Sequence, residues 1–461
     1  MRTIQFLGAC RNVTGSRFLL TTGKKKGLVD CGLYQERDFL SRNWEPFPTP
    51  PEELSFVLLT HAHLDHSGYL PRLVKEGFRG TIYATTPTID IAKIAFEDAA
   101  KIYQEDIKKK ELRHTKEGRV SKYPYEPLYT ASDAQAVIPL FQKVEYDEPV
   151  LIDENLSATF HNAGHILGSA SIQLTDTLTQ KSAVFSGDLG RWNKPLLPDP
   201  YSYEKADMLF IESTYGDRNH ENYEENDELL AHFITETHKN QGNIIIPSFA
   251  IERTQEIIYC LKKLLAQDRI PHLLTFVDSP MAAKVTDIFR KSPEYLREPL
   301  ARLGSSAFDF PLLHLIQSVE ESKGINHLKG SVIIIAGSGM CNGGRVKHHL
   351  VTNIERSEST LLFVGYQAHG TLGREIVEGA KKVRIFGSHY HVKARIRSIN
   401  GFSAHADRDE LTQWISSFAS PPQKIHLIHG ENRALESFKE HLGTLGFSPK
   451  IAEYRHTEKF L

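Results

Sequence analysis

Cysteine is scarce in this chain: its 461 residues include only Cys10, Cys31, Cys260 and Cys341, and no two of these form a Cys-x-x-Cys pair. The scarcity argues against a disulfide scaffold and against a zinc ribbon. It fits a protein of a reducing compartment, so we expect a cytoplasmic protein.

Long apolar segments are missing as well. No stretch has the length and apolar character of a membrane-spanning helix, and the apolar part of residues 1–15 is too short for a secretory signal. The sequence therefore predicts no association with a membrane, and it predicts a first strand at the N-terminus.

Charge of one sign is not in excess, because 55 Lys and Arg residues are set against 57 Asp and Glu residues, for a net charge of −2. Any site for a polyanion must then be a local basic patch. Residues 104–127 are charged and basic in their first half. They are either such a patch or a solvated helix end with its loop.

Apolar runs and amphipathic segments alternate along the chain, and this alternation predicts an α/β fold. A chain of 461 residues is too long for one small core, so we expect two or three domains. Helical spacing of apolar residues occurs at 251–266 and 432–446. The apolar runs that predict buried strands are 55–60, 182–188, 208–213, 243–248, 331–337, 360–365 and 424–430.

Histidine, in contrast, is abundant at 22 residues, and three histidines fall in HAHLDHSG (61–68), directly after the predicted strand 55–60. Each polar group left without a partner at a buried strand end costs about 1–3 kcal/mol, a cost that a metal ion removes. The alternative is a polar strand end with incidental histidines. Imidazole and carboxylate without thiolate suit Zn²⁺, Mn²⁺ or Fe²⁺. The four candidate ligands are His61, His63, Asp65 and His66.

Three further candidate ligands, His165, Asp188 and His429, each follow an apolar run. Taken alone, His165 is equally well a loop histidine, Asp188 a turn former or helix cap, and His429 a surface residue. Together with HAHLDHSG they complete a two-metal site in which Asp188 bridges two ions about 3.5–4 Å apart.

The motifs around these residues resemble known ones. HAHLDHSG (61–68), AGHILGSA (163–170) and FSGDLG (185–190) resemble the metallo-β-lactamase superfamily. Nearly the whole chain is similar to the β-CASP branch of that superfamily, and it most resembles the cleavage and polyadenylation specificity factor endonucleases and their bacterial RNase relatives. The segments that carry this similarity are 6–20, 29–35, FIESTYGDR (210–218), 247–256, 278–282, 336–345, 364–374, GFSAHAD (401–407) and LIHGE (427–431).

The resemblance implies an α/β fold in which a metallo-β-lactamase αββα sandwich carries an inserted α/β β-CASP domain. The implied limits are 1–208 for the first part of the lactamase domain, 209–393 for the insertion and 394–461 for the C-terminal part. The implied activity is that of a zinc-dependent ribonuclease. Such an enzyme uses a hydroxide activated by two metals and leaves 5′-phosphate and 3′-hydroxyl ends on RNA.

Two Zn²⁺ ions per chain are implied as cofactors, with Mn²⁺ or Fe²⁺ as alternatives. By motif, His61, His63 and His165 hold one ion, Asp65, His66 and His429 hold the other, and Asp188 bridges them. Asp30 matches a residue that orients the site, although a strand-end turn explains it equally well.

Catalytic roles are implied for Asp65, Glu212 and His405. Asp65 orients the hydroxide, while Glu212 keeps His405 in its charged, proton-donating form, since a carboxylate favours the imidazolium. A strand-end turn at Glu212 and a helix-capping loop at His405 are the alternatives.

Substrate contacts are expected from Ser403, Arg253, Arg345 and Arg374, with Lys393 nearby, because these residues lie in or near the matched segments. Solvated or ion-paired side chains are the alternative for each. RNA is the expected partner, and a homodimer is left open.

Three other functions compete with the ribonuclease hypothesis. A small-molecule ester or thioester hydrolase of the lactamase fold would not need the long insertion. A DNA nuclease of the same branch is expected to lack a histidine at the position of His429. A non-catalytic scaffold subunit is expected to have lost metal ligands, and this chain has the full set.

Overall fold

The computed structural model describes residues 2–120, 125–221, 225–328 and 330–459. The chain divides into two compact units. Unit 1 comprises residues 1–194, 198–219 and 405–461, and unit 2 comprises residues 195–197 and 220–404. Unit 2 is therefore an insertion into the chain of unit 1.

Strands and helices are numbered in chain order over the described residues. The strands are β1 (Arg2–Phe6), β2 (Phe18–Thr22), β3 (Lys25–Val29), β4 (Leu54–Leu58), β5 (Thr81–Thr85), β6 (Phe141–Val144), β7 (Pro149–Asp153), β8 (Leu156–Asn162), β9 (Ala170–Asp176), β10 (Ser182–Phe185), β11 (Met208–Glu212), β12 (Ile244–Pro247), β13 (Thr275–Asp278), β14 (Leu313–Leu315), β15 (Ile333–Ala336), β16 (Thr360–Val364), β17 (Lys382–Ile385), β18 (Ser388–His391), β19 (Arg395–Ile399), β20 (Lys424–Ile428), β21 (Lys450–Ile451) and β22 (Thr457–Lys459). The α-helices are α1 (Leu64–Ser67), α2 (Leu70–Lys75), α3 (Thr86–Glu117), α4 (Ala131–Val137), α5 (Glu225–Lys239), α6 (Arg253–Ala266), α7 (Pro280–Lys291), α8 (Leu300–Leu303), α9 (Val319–Ile325), α10 (Val346–Asn353), α11 (Leu372–Val377), α12 (Arg408–Ser416) and α13 (Asn432–Thr444).

Unit 1 is built on two mixed sheets. Their strand orders are β22-β1-β2-β3-β4-β5-β6 and β21-β20-β11-β10-β9-β8-β7. The neighbours β3 and β4 are parallel, as are β10, β11 and β20. Because parallel strands end at the same edge of a sheet, the residues that follow these strands are brought together.

The core of unit 1 lies between the two sheets and is rich in phenylalanine. Phe18 of the first sheet lies 5.7 Å from Phe185 of the second, measured between ring centroids, and Phe6 lies 5.9 Å from Phe210. On the outer face of the second sheet, Trp414 of α12 and Phe438 of α13 are fully buried. Helix α3 contacts β5 and β6 of the first sheet. These layers confirm the predicted αββα sandwich.

Unit 2 has its own parallel sheet, ordered β14-β13-β15-β12-β16-β19. Three consecutive isoleucines on β12 and three on β15 are buried, as expected for strands covered on both faces. Helices α10 and α11 pack on this sheet through buried Val346, Leu350 and Ile376. A two-stranded antiparallel hairpin of β17 and β18 also belongs to this unit. An inserted α/β domain is thus confirmed.

The predicted elements agree closely with the structure. Every apolar run predicted as a strand overlaps one, and the two predicted helices correspond to α6 and α13. The compact units change over at 219/220 and 404/405, later than the predicted domain limits at 208/209 and 393/394. The difference has a physical reason: β11 pairs with β10 and β20 in unit 1, whereas β19 pairs with β16 in unit 2.

The charged segment 104–127 begins in the second half of α3, whose buried residues end at Ala100. From Lys101 onward most side chains of α3 are exposed, as expected of a helix that leaves the core. Residues 121–124 of the segment lie outside the described residues. Among the described helices, none combines the length and the apolar character needed to cross a bilayer.

Candidate metal centre

The candidate site lies at the carboxyl ends of five strands of unit 1, each of which ends in or just before a polar residue. β3 leads to Asp30, β4 to His61, β10 to Asp188 and β20 to His429, while β11 ends at Glu212. All five side chains are almost completely buried. Burial of so many ionisable groups is costly unless each has a partner, so the site must be held together by charge or by metal.

The segment HAHLDHSG wraps around a strand-to-helix turn. His61 and His63 come after β4 in extended chain, and Asp65 and His66 lie in the short helix α1. The Ser67 hydroxyl donates to the carbonyls of Ala62 and His63, both at 3.0 Å, and closes the turn. The four candidate ligands thereby project to two sides of one turn.

One set of ligand atoms comprises nitrogens of His61, His63 and His165 with a carboxylate oxygen of Asp188. Nδ1 of His63 lies 3.2 Å from Nε2 of both His61 and His165. Oδ2 of Asp188 lies 3.4 Å from Nε2 of His61 and 3.5 Å from Nε2 of His165. All four atoms therefore converge on one point.

The second set comprises Asp65, His66 and His429. Nε2 of His66 lies 3.1 Å from Nε2 of His429, and Oδ2 of Asp65 lies 3.5 Å from Nε2 of His429. Oδ1 of Asp188, the oxygen not used by the first set, lies 3.2 Å from Nε2 of His66. Asp188 is thus positioned between the two sets with one oxygen toward each.

These separations test whether the residues fit metal ions. Two nitrogen or oxygen ligands bound at about 2.0–2.1 Å in tetrahedral geometry lie about 3.3 Å apart, close to the spacing within the first set. Within the described part of the chain, buried Oδ1 of Asp188 accepts no hydrogen bond of good geometry. An oxygen in that position suits a cation. The donor set therefore fits a divalent metal ion.

Electrostatics in the first set favour neutral imidazoles. Burial lowers the pKa of His63 to about 3, and burial also lowers the pKa values of His61 and His165. A neutral imidazole offers a nitrogen lone pair to a metal. Although burial alone would raise the pKa of Asp188, the imidazoles of His429, His66 and His61 hold it well below its usual range.

The second set favours positive charge. Burial alone would lower the pKa values of His66 and His429, but nearby carboxylates, Asp188 foremost, raise both. Burial opposes ionisation of Asp65, yet the hydrogen bond to His429 and the charge of His66 lower its pKa. The carboxylates that favour protonation of His66 and His429 also attract a metal cation, and the cation competes with those protons.

Asp30 supports the centre from behind. Its Oδ2 accepts from Nδ1 of His66 at 2.7 Å, and its Oδ1 accepts from the backbone N–H of Thr60 at 2.8 Å. The Thr60 hydroxyl lies 2.9 Å from Asp30 Oδ1 and 3.0 Å from Nδ1 of His61. One carboxylate therefore reaches a histidine of each set, directly in one case and through a hydroxyl in the other.

Thr60 and Thr214 are site residues that the sequence reasoning missed. The Thr214 hydroxyl lies 3.1 Å from Nδ1 of His429, so each set has one histidine backed by a threonine. When Nδ1 donates to an oxygen in this way, Nε2 keeps its lone pair toward the metal. The available signal was position: Thr60 directly precedes His61, and Thr214 follows Glu212 by two residues.

His405 and Glu212 form a third group next to Asp188. Nδ1 of His405 lies 3.1 Å from Oε1 of Glu212, and its Nε2 lies 3.9 Å from Oδ2 of Asp188. Glu212 is fully buried, whereas the His405 side chain is 22% exposed. Burial alone would lower the pKa of His405, but the carboxylates of Glu212 and Asp188 raise it to about 9.

Two residues of the site have a strained backbone. Asp30 has φ 58° and His429 has φ 49°, both in the left-handed region that favours glycine. Each such conformation costs about 1–3 kcal/mol in a residue with a side chain. The strain at both positions aims a side chain from the end of a strand back toward the centre.

The four residues predicted to contact substrate all lie in unit 2, and their arginines are engaged there. Arg253 donates to the carbonyl of Val364. Nη1 of Arg345 donates to Oδ1 of Asp278 at 2.6 Å, and Nε of Arg374 donates to Oε1 of Glu378 at 2.7 Å. Ser403 is buried. Substrate binding by these residues stays a prediction.

Comparisons with known proteins decide the family. Family profiles match as a metallo-beta-lactamase superfamily domain (19–187), a Beta-Casp domain (254–376) and a Zn-dependent metallo-hydrolase RNA specificity domain (389–452). Ribonuclease TTHA0252 of Thermus thermophilus is 36% identical over 457 residues, covering 98% of this chain and 99% of that protein. The chain belongs to the β-CASP branch of the metallo-β-lactamase superfamily. The predicted resemblance is confirmed.

Two further relatives of this β-CASP protein are archaeal. Transcription termination factor FttA of Methanosarcina mazei is 32% identical over 448 residues, covering 93% of this chain and 67% of that protein. The factor of the same name from Methanothermobacter thermautotrophicus is 31% identical over 445 residues, covering 92% and 66%. A crystal structure of a protein of unknown function from Enterococcus faecalis shares the fold, with TM-score 0.56, 12% identity and 99% coverage of both chains.

Membership in a Zn-dependent metallo-hydrolase family and the clustered ligands of unit 1 together support the use of metal by this β-CASP protein.

Proposed function

We propose that this chain is a metal-dependent ribonuclease that hydrolyses RNA phosphodiester bonds at the centre of unit 1. The observation that carries the proposal is the convergence of two ligand sets on Asp188, with the His405–Glu212 pair beside them. A ribonuclease relative that matches over nearly the full length supports RNA as the substrate.

Zn²⁺ is the proposed metal, because the ligands are imidazoles and carboxylates, with Mn²⁺ or Fe²⁺ as alternatives. His61, His63 and His165 would hold one ion, and Asp65, His66 and His429 the other, with Asp188 between them. Two such ions activate water for attack and stabilise negative charge on a phosphate.

His405 is the proposed general acid. Its Nδ1 faces Glu212, so a charged His405 carries its second, transferable proton on Nε2, the atom on the side of Asp188. That proton passes to the departing 3′-oxygen, which leaves a 3′-hydroxyl on one product and a 5′-phosphate on the other. His405 is also the more exposed member of the pair, as a group that meets substrate must be.

Glu212 is held so that it can keep His405 in place. Its Oε1 accepts from the backbone N–H of Leu189 at 2.7 Å, and its Oε2 accepts from that of Thr214 at 3.3 Å. Since both donors are backbone groups next to the strand ends, the carboxylate has a fixed orientation.

Asp65 is proposed to orient the attacking water. Its side chain is 20% exposed, whereas those of His66, Asp188 and His429 are almost completely buried. A carboxylate that is ionised and partly exposed can accept a hydrogen bond from a water molecule at the centre.

The role of His405 is tested with His405→Ala. We expect a 10²- to 10⁴-fold lower turnover on labelled RNA, about the contribution of a general acid, with metal content unchanged. Metal is counted by elemental analysis of the same preparations. His456→Ala, which removes an exposed histidine of unit 1, is the matched control and should behave as the parent. Parent-like cleavage by His405→Ala would rule out this role.

The role of Asp188 is tested separately with Asp188→Asn, against Asp106→Asn on the exposed part of α3 as control. We expect Asp188→Asn to lose metal as well as activity, because both sets share this carboxylate. Full metal content in purified Asp188→Asn would contradict the bridging assignment.

The nature of the substrate is settled by offering the parent protein labelled RNA, DNA of the same sequence and a thioester. Metal-dependent cleavage of RNA is the expected result, lost on exhaustive chelation. Faster turnover of DNA or of the thioester would replace the ribonuclease proposal by the corresponding alternative. Cytoplasmic location and a homodimer stay predictions.

A further inference from the structure

A hairpin of unit 2 presents a basic outer face. Strands β17 and β18 pair antiparallel, with Lys382 opposite His391 and Arg384 opposite His389. All four of these residues are exposed, whereas the intervening Val383 is buried. One face of the hairpin therefore packs on the core, and the other carries only cationic or ionisable nitrogen groups.

This charge is concentrated in a segment without acidic residues. From 379 to 406 the chain has no Asp or Glu, although its net charge overall is −2. Lys382 and Arg384 place two like charges on one face of the hairpin, and such a face attracts a polyanion.

Not every basic residue of the segment is available. Arg395 and Arg397 both pair with Glu236 of α5, at 3.8 and 3.5 Å. Among the described residues, Lys381 and Lys382 form no ion pair and are exposed. Nε of Arg384 donates only weakly, to the carbonyl of Gly387 at 3.3 Å. The unneutralised charge is thus on the hairpin itself.

An exposed aromatic ring lies at the hairpin turn. Phe386 and Gly387 form the two-residue connection, with φ 49° and 88°, a turn in which Asn-Gly is the preferred pair. The Phe386 side chain is nevertheless 56% exposed. Its ring lies 4.7 Å from that of His348 and 4.9 Å from Nζ of Lys347, both from α10. Phenylalanine, a residue less suited to this turn than asparagine, therefore occupies a strained position in which more than half of its surface stays exposed.

Exposed rings beside unpaired cations are the two features with which proteins hold single-stranded nucleic acid: bases stack on the aromatic face while cations contact the phosphates. We propose that the hairpin face formed by Lys382, Arg384, Phe386 and His389, together with Lys347, is a binding platform for single-stranded RNA. This inference rests on the proposed ribonuclease function. It adds an RNA-binding surface whose residues are not among the metal ligands.

Phe386→Asn tests the aromatic contact without harming the turn, because Asn-Gly suits this turn better than Phe-Gly. The dissociation constant of a fluorescent oligouridine is measured by anisotropy on the full chain, with EDTA present so that no variant cleaves it. We expect binding to weaken about tenfold, within the range that one base–aromatic stack supplies. Phe386→Tyr should bind as the parent does.

The charges are tested with Lys382→Ala/Arg384→Ala, and exposed Lys239→Ala on α5 is the control. Two lost phosphate contacts should reduce the slope of log K against log salt by about 1.4 for a single strand. The control should leave the slope unchanged.

The outcome separates this inference from the ribonuclease proposal. Parent-like affinity of both hairpin variants would overturn the platform, even if the parent cleaves RNA. Weakened binding in a protein that proves unable to cleave RNA would support the platform and overturn the proposed function. A hairpin that instead captures a protein partner, with RNA affinity unaltered, also overturns the platform.

Discussion

Two threonine hydroxyls lie behind the histidines of the centre, one for each ligand set. Thr60 contacts Nδ1 of His61, and Thr214 contacts Nδ1 of His429. Neither hydroxyl is a metal ligand, yet each orients a ring and decides which nitrogen keeps its lone pair. At the scale of single residues, metal affinity is therefore expected to depend on the groups that orient the ligands as well as on the ligands themselves.

Thr60→Val keeps the shape of the side chain and removes only the hydroxyl. We expect metal affinity to fall about 10- to 100-fold, because His61 loses its support and its link to Asp30. Thr60→Ser should restore most of the affinity. Zinc competition with a chromophoric chelator gives the measurement, and Thr412→Val on α12 is the matched control.

Unchanged zinc affinity in Thr60→Val, with the fold intact by circular dichroism, would show that the hydroxyl plays no part. A loss in both Thr60→Val and Thr60→Ser would point to packing rather than to the hydrogen bond.

Among the elements, β20 joins the centre to the core within a few residues. It ends one residue before His429, and its His426 is buried, with its ring 5.1 Å from Phe210 and 5.8 Å from Phe6. Burial lowers the pKa of His426 to about 4. A strand that presents one candidate ligand just past its end therefore also carries a titratable group in the aromatic core.

Because of His426, the free energy of unfolding is expected to decrease as the pH falls. Its pKa is about 6.5 when unfolded and about 4 when folded. The unfolded chain therefore binds the proton first, and stability is lost as pH falls from 6.5 toward 4. Between pH 7 and pH 5 the loss is about 2 kcal/mol. His426→Phe should lack this part of the loss, as measured by urea unfolding at both pH values in EDTA. Equal losses in parent and variant would contradict the assignment.

At the scale of the whole molecule, the division into two units predicts that metal binding stabilises unit 1 against local opening and leaves openings of unit 2 unchanged. All seven candidate ligands belong to unit 1. Metal binding stabilises only those states in which the ligands converge, by about 2.7 kcal/mol at a hundredfold excess over Kd. Openings confined to unit 2 gain nothing from the ion.

Hydrogen exchange with and without zinc measures this difference. We expect slower exchange at the ends of β4, β10 and β20 and no change in β12 and β15 of unit 2. The control is protein that has been stripped of metal with EDTA and then supplied with Mg²⁺, an ion that imidazole ligands bind poorly. Equal slowing in both units would contradict the independence of their openings.

The elements and the residue types of the site could be predicted from the sequence, because both depend on short-range patterns. Apolar runs identified β4, β10, β11 and β20, and HAHLDHSG combined four candidate ligands in six positions. The family resemblance supplied the fold class and the grouping of ligands, and the αββα layers confirm the fold.

Contacts between distant segments that no motif marks could not be predicted. Thr60 and Thr214 have no distinctive pattern in sequence, and their value comes from the rings against which they lie. The ion pair of Arg345 with Asp278 and the limits of the compact units likewise depend on pairing in space.

The sequence by itself thus determined which elements form and which chemistry is present, since periodicity and side-chain type are local properties. Only the tertiary structure decided which oxygen of Asp188 faces which ligand set and which charges are already neutralised. Distances of about 3 Å between residues hundreds of positions apart exist only once parallel strands end at one edge.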